Sequence, residues 1–149
     1  MNSIGVDFLP DMEIITLSKE LNLKDMAYVL KDKQVMVEAY GYQSMMITEN
    51  CIKKNVNGKC INALSYLKDR KGQTFPVLCE YGCRNEILNS VPLVMSDKLG
   101  EIRNAGINYI LLSFTVESYE ECERIWKCYE TEENPFDDFT RGHFFRGVQ

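Results

Sequence analysis

Residues 91–114 read VPLVMSDKLGEIRNAGINYILLSF, and this stretch decides the fold. Val91 to Met95 is an apolar run of strand length, Ser96 is of a type that caps helices, and Gly106 stands where a C′ glycine is expected. Ile107 to Phe114 follows as a strongly apolar run. The order strand, helix, strand predicts a unit of a parallel sheet.

The same alternation extends in both directions along the chain. Glu13 to Leu17 predicts a strand, Ser18 a helix cap, and Val35 to Tyr40 a second strand that Gly41 ends. On the other side, Ser118-Tyr119-Glu120-Glu121 forms a capping box for a helix to about Thr131. About four strand units result, whereas a complete (β/α)₈ barrel needs about 250 residues. The predicted α/β fold is therefore a partial, half parallel (β/α) barrel, with an open parallel sheet as the alternative.

A less regular segment interrupts this alternation. Ser44 to Asn50 predicts a short helical turn, and a cysteine-rich loop begins at Cys51. Leu64 to Leu67 and Thr74 to Leu78 flank a polar tract, which predicts an inserted β-hairpin. Residues 134–149 show no periodicity and predict an irregular tail. We expect residues 1–149 to form one domain, the C-terminal half of a barrel.

Composition places the chain among ordinary globular proteins. Hydrophobic residues make up 45% of its 149 residues and charged residues 26%. No apolar run approaches the ~20 residues of a membrane helix, and Met1 to Asp11 lacks the basic start of a signal peptide. These features predict a cytoplasmic protein that does not enter a membrane.

Charge is distributed unevenly along the chain. The segment from Cys51 to Arg84 holds seven basic and two acidic residues, a net charge of +5, so the rest of the chain carries −10. One interpretation is an ordinary solvated loop with lysines on it. The other is a positive surface suited to phosphates or an anionic substrate, and Lys54 is a candidate anion contact within it.

Four of the six cysteines form a candidate metal site. Their spacing is C-x8-C-x18-C-x3-C, at Cys51, Cys60, Cys79 and Cys83. Four thiolates are the usual ligands of a four-iron four-sulfur cluster and also of structural zinc. Zinc sites usually have two close cysteine pairs, and here only the last two cysteines are close, so the spacing favours a cluster. Buried core cysteines and disulfides are the alternatives.

Cys122 and Cys128 are predicted not to join this site. They lie six residues apart on a predicted helix, which separates them by about 600° of rotation. Side chains so placed face different directions, and we expect both to be packing residues.

Other candidates for chemistry lie outside the cysteines. The tail holds the only histidine, His143, between Arg141 and Arg146, which indicates an anion contact or a structural role. Glu38 ends a predicted strand, where barrel enzymes place catalytic groups, although a carboxylate that caps a loop fits equally. The sequence contains no G-x-S-x-G elbow, H-E-x-x-H helix or phosphate-binding glycine loop.

Several motifs together resemble the collagenase-like peptidase family of unknown catalytic type, particularly its clostridial members. Matching segments extend from about Ser18 to Val148. They are Glu38 to Gly41 with Met45-Met46 and Cys51; Leu67 to Gly72 with Phe75-Pro76-Val77; Cys79 and Cys83 with Asn85 to Ser90 and Pro92-Leu93; and Thr140 to Val148. Gln43-Ser44 departs from the family pattern, and family members have a long N-terminal half that is missing here.

This resemblance implies two competing activities. The family name implies proteolysis, chiefly of collagen. Members with four such cysteines hold a four-iron four-sulfur cluster and hydroxylate RNA bases or a quinone precursor without oxygen, with prephenate as the hydroxyl donor. A third possibility is an inactive fragment braced by its cysteines or by zinc. The implied partners are the rest of the barrel or a second copy of the chain, with RNA or a small anion as substrate.

For catalysis, we expect the cysteine loop to meet the C-terminal ends of the strands. Glu38 would face the site, and Arg84 would lie beside the cluster. The tail residues Arg141, His143 and Arg146 would close over a bound anion, which Lys54 would also contact.

Overall fold

The computed structural model describes residues 12–29, 33–60, 62–80 and 82–145. The chain divides into two compact units. The first unit comprises Met1–Gly41 and Leu93–Gln149, and the second comprises Tyr42–Pro92. The second unit is thus an insertion into the sequence of the first.

The described residues form eight strands, four α-helices and one 3₁₀ turn. Those of the first unit are β1 (Ile14–Thr16), α1 (Leu23–Val29), β2 (Gln34–Gly41), β7 (Leu93–Val94), a 3₁₀ turn (Ser96–Lys98), α3 (Leu99–Asn104), β8 (Tyr109–Ser113) and α4 (Tyr119–Thr131). Those of the second unit are β3 (Ser44–Thr48), α2 (Ile52–Asn57), β4 (Ser65–Lys68), β5 (Thr74–Glu80) and β6 (Arg84–Leu88).

Strand β2 is the centre of the first sheet. It pairs in parallel with β1, where Ile15 lies opposite Val35, and in parallel with β8, where Val37 lies opposite Ile110. The predicted parallel pairing of these strands is confirmed. The observed class is mixed α/β, and the described strands form no closed barrel.

The expectation that the strand near Leu93 is also parallel is wrong. Strand β7 pairs antiparallel with β2, with Gly41 opposite Leu93 and Tyr40 opposite Val94. The second unit leaves the first after Gly41 and the chain returns at Leu93. Because the returning chain begins beside the residue where β2 ends, it runs back along β2 in the opposite direction.

The hydrophobic core of the first unit lies on both sides of β2. Val35, Val37, Ala39 and Tyr40 are at most 2% exposed. They pack with buried residues from β1, α1, β7, α3 and α4, among them Ile15, Met26, Val94, Ile102 and Ile125. A central parallel strand covered on both faces is the environment that its nearly continuous apolar sequence predicts.

Helix boundaries in the first unit follow local capping chemistry. The Ser118 hydroxyl accepts the Glu121 N–H, and the Glu121 carboxylate accepts the Ser118 N–H, so the predicted capping box is confirmed. Gly106 follows α3 with a φ of 83°, as expected for a C′ glycine. The first helix begins later than predicted, because Asn22 rather than Ser18 accepts the N–H of Asp25 in its first turn.

The described part of the tail is irregular but attached. Thr140 forms an isolated bridge with Leu93, and the Phe144 carbonyl accepts the Leu23 N–H at 3.0 Å. Phe144 is 4% exposed and belongs to the core. The tail therefore contributes to the packing of the first unit.

The second unit contains an antiparallel sheet in the order β3-β6-β5-β4. The predicted hairpin is confirmed, since β4 pairs with β5 with Ser65 opposite Val77. The helical turn predicted for Ser44 to Asn50 is wrong: Ser44–Thr48 is a strand that pairs with β6. Its methionines and Ile47 suit a strand as well as a helix, so local sequence does not decide between them.

A short helix replaces part of the predicted cysteine loop. Ile52–Asn57 forms α2, with Cys51 as its N-cap and Gly58 as its C-cap. No helix of the described residues is both long and apolar enough to cross a membrane.

Candidate metal centre

Four cysteines of the second unit meet at the start of α2. The sulfur atoms of Cys51, Cys60 and Cys83 all lie within 4.8 Å of one another. The Sγ atoms of Cys60 and Cys79 are 3.3 Å apart. The structure thus brings together the four cysteines that the sequence singles out, and three of them are close enough to hold one metal.

Cys51 is placed by the helix that it caps. Its Sγ accepts the Lys54 N–H at 3.4 Å, and its backbone is extended, as expected at an N-cap. After two helical turns, Gly58 adopts a φ of 71° and its N–H bonds to the Lys54 carbonyl. This left-handed glycine ends α2 and turns the chain toward Cys60.

Asn85 fixes the start of α2 against the sheet. It is 2% exposed, and its Oδ1 accepts the Ile52 N–H at 2.7 Å. In the β5–β6 ladder it lies directly opposite Cys79. Asn85 therefore connects two of the cysteine-bearing segments. No role for Asn85 is predicted from the sequence, although its position two residues after a candidate ligand is a signal of one.

Cys83 lies in the hairpin between β5 and β6 with an unusual backbone. Glu80 pairs with Arg84, so Cys83 lies in the connection between the two strands. Gly82 has a φ of 74° and Cys83 a φ of 82°. A left-handed conformation at a non-glycine residue other than Asn or Asp costs about 1–2 kcal/mol. This conformation coincides with the placement of the Cys83 sulfur near Cys51 and Cys60.

Hydrogen bonding shifts the pKa values of Cys51 and Cys60 in opposite directions. The Lys54 N–H lowers the pKa of Cys51, although burial opposes it, and the neighbouring thiols lower it further. Hydrogen bonds with Cys79, Cys83 and Cys51 raise the pKa of Cys60, and burial adds to the effect. Cys51 is thus the first of these two to become a thiolate. A metal must displace the proton from Cys60, so metal binding strengthens as the pH rises.

A cavity of about 630 Å³ opens beside the cysteines. It is lined by Cys60, Asn62, Cys79, Glu80, Gly82 and Cys83. Its lining mixes sulfur, carboxylate and amide groups. A ligand or metal can therefore reach the cysteines from solvent.

The side chains of Lys54 and Arg84, the other predicted site residues of the second unit, are not shown in contact with the cysteine sulfurs. Lys54 is exposed, and its backbone rather than its ammonium contacts Cys51. Arg84 lies opposite Glu80 at the start of β6. Since side chains alternate along a strand, Arg84 lies on the sheet face opposite to that of Asn85 and Cys79. Its predicted place beside a cluster remains a prediction, and the strand register does not favour it.

Glu38 belongs to the first unit, where it is buried and paired. It is 7% exposed, and its Oε2 lies 2.5 Å from Lys19 Nζ. Any side chain at Gly41, whose φ is 150°, would meet Glu38 Oε1 at 2.7 Å. Glycine is therefore needed at position 41 for this carboxylate to occupy its place at the end of β2.

The predicted site residues of the tail, Arg141, His143 and Arg146, differ from one another in their surroundings. Arg141 donates to both carboxylate oxygens of Asp97 and to the Val94 carbonyl, and its guanidinium lies 4.4 Å from the Phe139 ring centroid. Although partial burial of Asp97 acts in the other direction, Arg141 holds the pKa of that carboxyl below its ordinary value. His143 is exposed. Arg146 lies outside the described residues, so its predicted anion contact remains a prediction.

Cys122 and Cys128 both lie on α4, an element of the first unit. The group of described residues able to hold a metal does not include them. Burial raises the pKa of the Cys122 thiol, and Glu117 and Glu121 raise it further. Both side chains are half-buried, and their predicted packing role remains a prediction.

Comparison of the chain with protein-family models, with curated proteins and with solved structures found no match.

Proposed function

We propose that the second unit binds a four-iron four-sulfur cluster through Cys51, Cys60, Cys79 and Cys83. We further propose that the chain is the C-terminal part of an enzyme of the collagenase-like peptidase family that hydroxylates RNA or a small aromatic without oxygen. The observation that carries the proposal is the approach of four cysteine sulfurs from distant positions in the sequence. Such an arrangement is the donor set that iron–sulfur clusters use.

The small core of the second unit supports a bound metal. Its buried described residues are Cys51, Ser65, Pro76, Val77, Asn85, Leu88 and Pro92. Units of fewer than about 70 residues with so little apolar burial usually need a metal or a disulfide for stability. A metal held between α2 and the β5–β6 hairpin would supply that link.

The charge of this region favours a cluster. A cluster with four thiolates is anionic, and Lys53, Lys54 and Lys59 all lie between the first two cysteines. The cavity beside the sulfurs gives room for a cluster and for a substrate. When bound, a cluster would supply a redox-active iron site, and the surrounding residues would position the substrate.

Zinc is the second candidate, because the sulfur separations favour a single ion. Zinc–sulfur bonds of about 2.3 Å in a tetrahedron place the sulfurs about 3.8 Å apart. Cys51, Cys60 and Cys83 lie within 4.8 Å of one another, and Cys60 and Cys79 are 3.3 Å apart. A cluster with one iron per thiolate would require larger sulfur separations than these.

Proteolysis has less support than hydroxylation. The sequence lacks the serine elbow and the zinc helix of common peptidases. Glu38, Arg84 and His143 remain our proposed catalytic residues, with Arg141, Arg146 and Lys54 as proposed anion contacts. If hydroxylated product forms at the wild-type rate in both Arg84→Ala and His143→Ala, these two assignments are wrong.

We also propose that the first sheet is half of a parallel barrel. Three of its strands, β1, β2 and β8, run parallel, and β8 has no second strand neighbour among the described residues. An open edge without charged residues is a site of strand pairing. The rest of a barrel, or a second copy of the chain, is the proposed neighbour, and a strictly monomeric species in solution would count against the second copy.

Anaerobic reconstitution with iron and sulfide tests the metal centre. We expect a brown protein with four irons and four sulfides per chain, and a loss of both when any of the four cysteines is changed to serine. Cys122→Ser/Cys128→Ser is the matched control and should load normally. A colourless protein with one zinc per chain would contradict the cluster and support the zinc site instead. Collagen cleavage by a variant lacking all four cysteines would overturn the enzyme assignment.

A further inference from the structure

The β4–β5 hairpin carries exposed cations at its tip. Lys68 ends β4, Arg70 and Lys71 lie in the turn, and all three side chains are exposed. The ion pairs found among the described residues involve none of the three. The tip therefore presents three positive charges to solvent.

Asp69 orders this tip instead of pairing with the cations. Its Oδ1 accepts the N–H groups of Lys71 and Gln73, both at 2.8 Å. Its own N–H donates to the Gln73 carbonyl at 3.0 Å, and the Gly72 N–H donates to the Asp69 carbonyl. These bonds fix the turn, so less conformational entropy is lost when the hairpin binds a partner.

An aromatic ring lies on the same face as the first of these cations. Tyr66 is 59% exposed and precedes Lys68 by two residues in β4. Because side chains alternate along a strand, Tyr66 and Lys68 lie on one face of the hairpin. Aromatic rings beside a row of cations characterise surfaces that bind single-stranded nucleic acid, where bases stack and phosphates pair.

We infer that this hairpin binds single-stranded nucleic acid, with Lys68, Arg70 and Lys71 on successive phosphates and Tyr66 stacked on a base. A duplex keeps its bases stacked on one another and would leave the Tyr66 ring without a partner. An acidic protein would pair with the cations but does not require the ring. The inference rests on the proposed function in that RNA is one of its proposed substrates, but binding here requires neither metal nor turnover, so it can fail while the metal centre stands.

Fluorescence anisotropy with labelled oligouridylate and oligodeoxythymidylate tests the cations. Three phosphate contacts on a single strand predict a slope of about −2 for log K against log salt concentration. Lys68→Gln/Arg70→Gln/Lys71→Gln should bring this slope close to zero. Lys98→Gln/Arg103→Gln/Lys127→Gln, which removes equal charge from the first unit, should retain it. Equal slopes for the two triple variants would overturn the inference.

Two further variants test the ring and the ordered turn. Tyr66→Ala should weaken binding by at least about fivefold without changing the salt slope, as expected for a lost stacking contact. Asp69→Asn keeps the acceptor oxygen and removes a negative charge, so it should bind at least as tightly as wild type, whereas Asp69→Ala should bind more weakly than Asp69→Asn. Unchanged affinity in Tyr66→Ala, with polyglutamate displacing the oligonucleotide, would point to an acidic protein and overturn the inference.

Discussion

At the scale of single residues, the cysteine site depends on positions that are costly to the fold. Cys83 adopts a left-handed backbone, and Asn85 is a buried polar residue whose Oδ1 binds the first N–H of α2. The backbone cost at Cys83 is offset if the site holds a ligand, whereas the buried polar side chain of Asn85 is satisfied by hydrogen bonds. Residues under such strain concentrate at functional sites, and here strain and sulfur convergence coincide.

Substitution of Cys83 by glycine or by alanine distinguishes the effect of losing the thiol from the effect of the left-handed backbone. Cys83→Gly removes the left-handed penalty, whereas Cys83→Ala retains it, so the metal-free Gly variant should be about 1 kcal/mol more stable than the Ala variant. Both should lose metal equally, because both lack the thiol. Chemical denaturation of the metal-free proteins, with metal analysis after reconstitution, measures the two effects. Equal stabilities would show that the φ of 82° carries no strain.

Removal of the Asn85 side chain should weaken the site without removing a ligand. Asn85→Ala leaves the Ile52 N–H without its acceptor, a loss of about 1–3 kcal/mol for a buried group. We expect lower thermal stability of the second unit and reduced metal retention. Asn55→Ala is the control, since Asn55 is exposed and bonds only to Asn50 through its side chain. Normal retention in Asn85→Ala would mean that α2 is held by other contacts.

At the scale of elements, sequence patterns predicted those parts that local chemistry controls. Residues within one turn of a helix boundary determine the capping box at the start of α4 and the C′ glycine after α3. The end of α4 at Thr131 also agrees with the sequence prediction. The β4–β5 hairpin follows from two apolar runs around a polar turn. Strand β3 was missed because its partner β6 is distant in sequence, which no local pattern reports. Strand β6 was missed although it forms a short hairpin with the adjacent β5.

The capping box before α4 gives a prediction at this scale. Ser118→Ala removes the acceptor for the Glu121 N–H and should lower the free energy of unfolding of the first unit by about 1 kcal/mol. Ser118→Asp retains an acceptor at the N-cap and should stay near wild type. Urea denaturation followed by far-ultraviolet circular dichroism measures both. A loss in the aspartate variant as large as in the alanine variant would contradict the capping explanation.

At the scale of the whole molecule, the chain combines a sheet with two parallel strand pairs and an inserted antiparallel sheet that carries the cysteine site. The sequence predicted the parallel pairing of β2 and β8 and the convergence of the four cysteines. It did not predict the antiparallel β7, because the direction of a two-residue strand depends on where the insertion returns. The coordination geometry could not be predicted either, because the spacing of residues in the sequence indicates which residues are ligands but does not determine the distances between their sulfur atoms.

Tyr129 connects three segments of the first unit, and its ionisation should lower the stability of that unit at high pH. Its hydroxyl donates to the Ala39 carbonyl and accepts the Met95 N–H. Burial raises the pKa of this phenol, although the Met95 N–H opposes the shift. Below pH ~10 the phenol is protonated whether folded or unfolded, and above it only the unfolded chain ionises. Stability should therefore fall above pH ~10, and less steeply in Tyr129→Phe, as measured by denaturation between pH 8 and 11.

The last prediction concerns what a bound metal does for each unit. The first unit has an extended core around β2, whereas the second has few buried apolar side chains. Because metal binding energy contributes to folding where the ligands come from separate segments, chelation should increase amide exchange in α2, β5 and β6. Exchange in β2 and β8 should stay unchanged. Hydrogen exchange with mass spectrometry, before and after chelation of reconstituted protein, measures both units in one sample.

Amide protection in cysteine variants distinguishes a structural metal from an adventitious one. Cys122→Ser/Cys128→Ser should show the same selective loss of protection, since neither residue belongs to the site. A variant with Cys79→Ser should resemble the chelated wild type even when metal is supplied. If chelation leaves α2 and the β5–β6 hairpin as protected as before, the contacts of Asn85 and Cys51 alone hold the second unit, and the metal centre has no part in its stability.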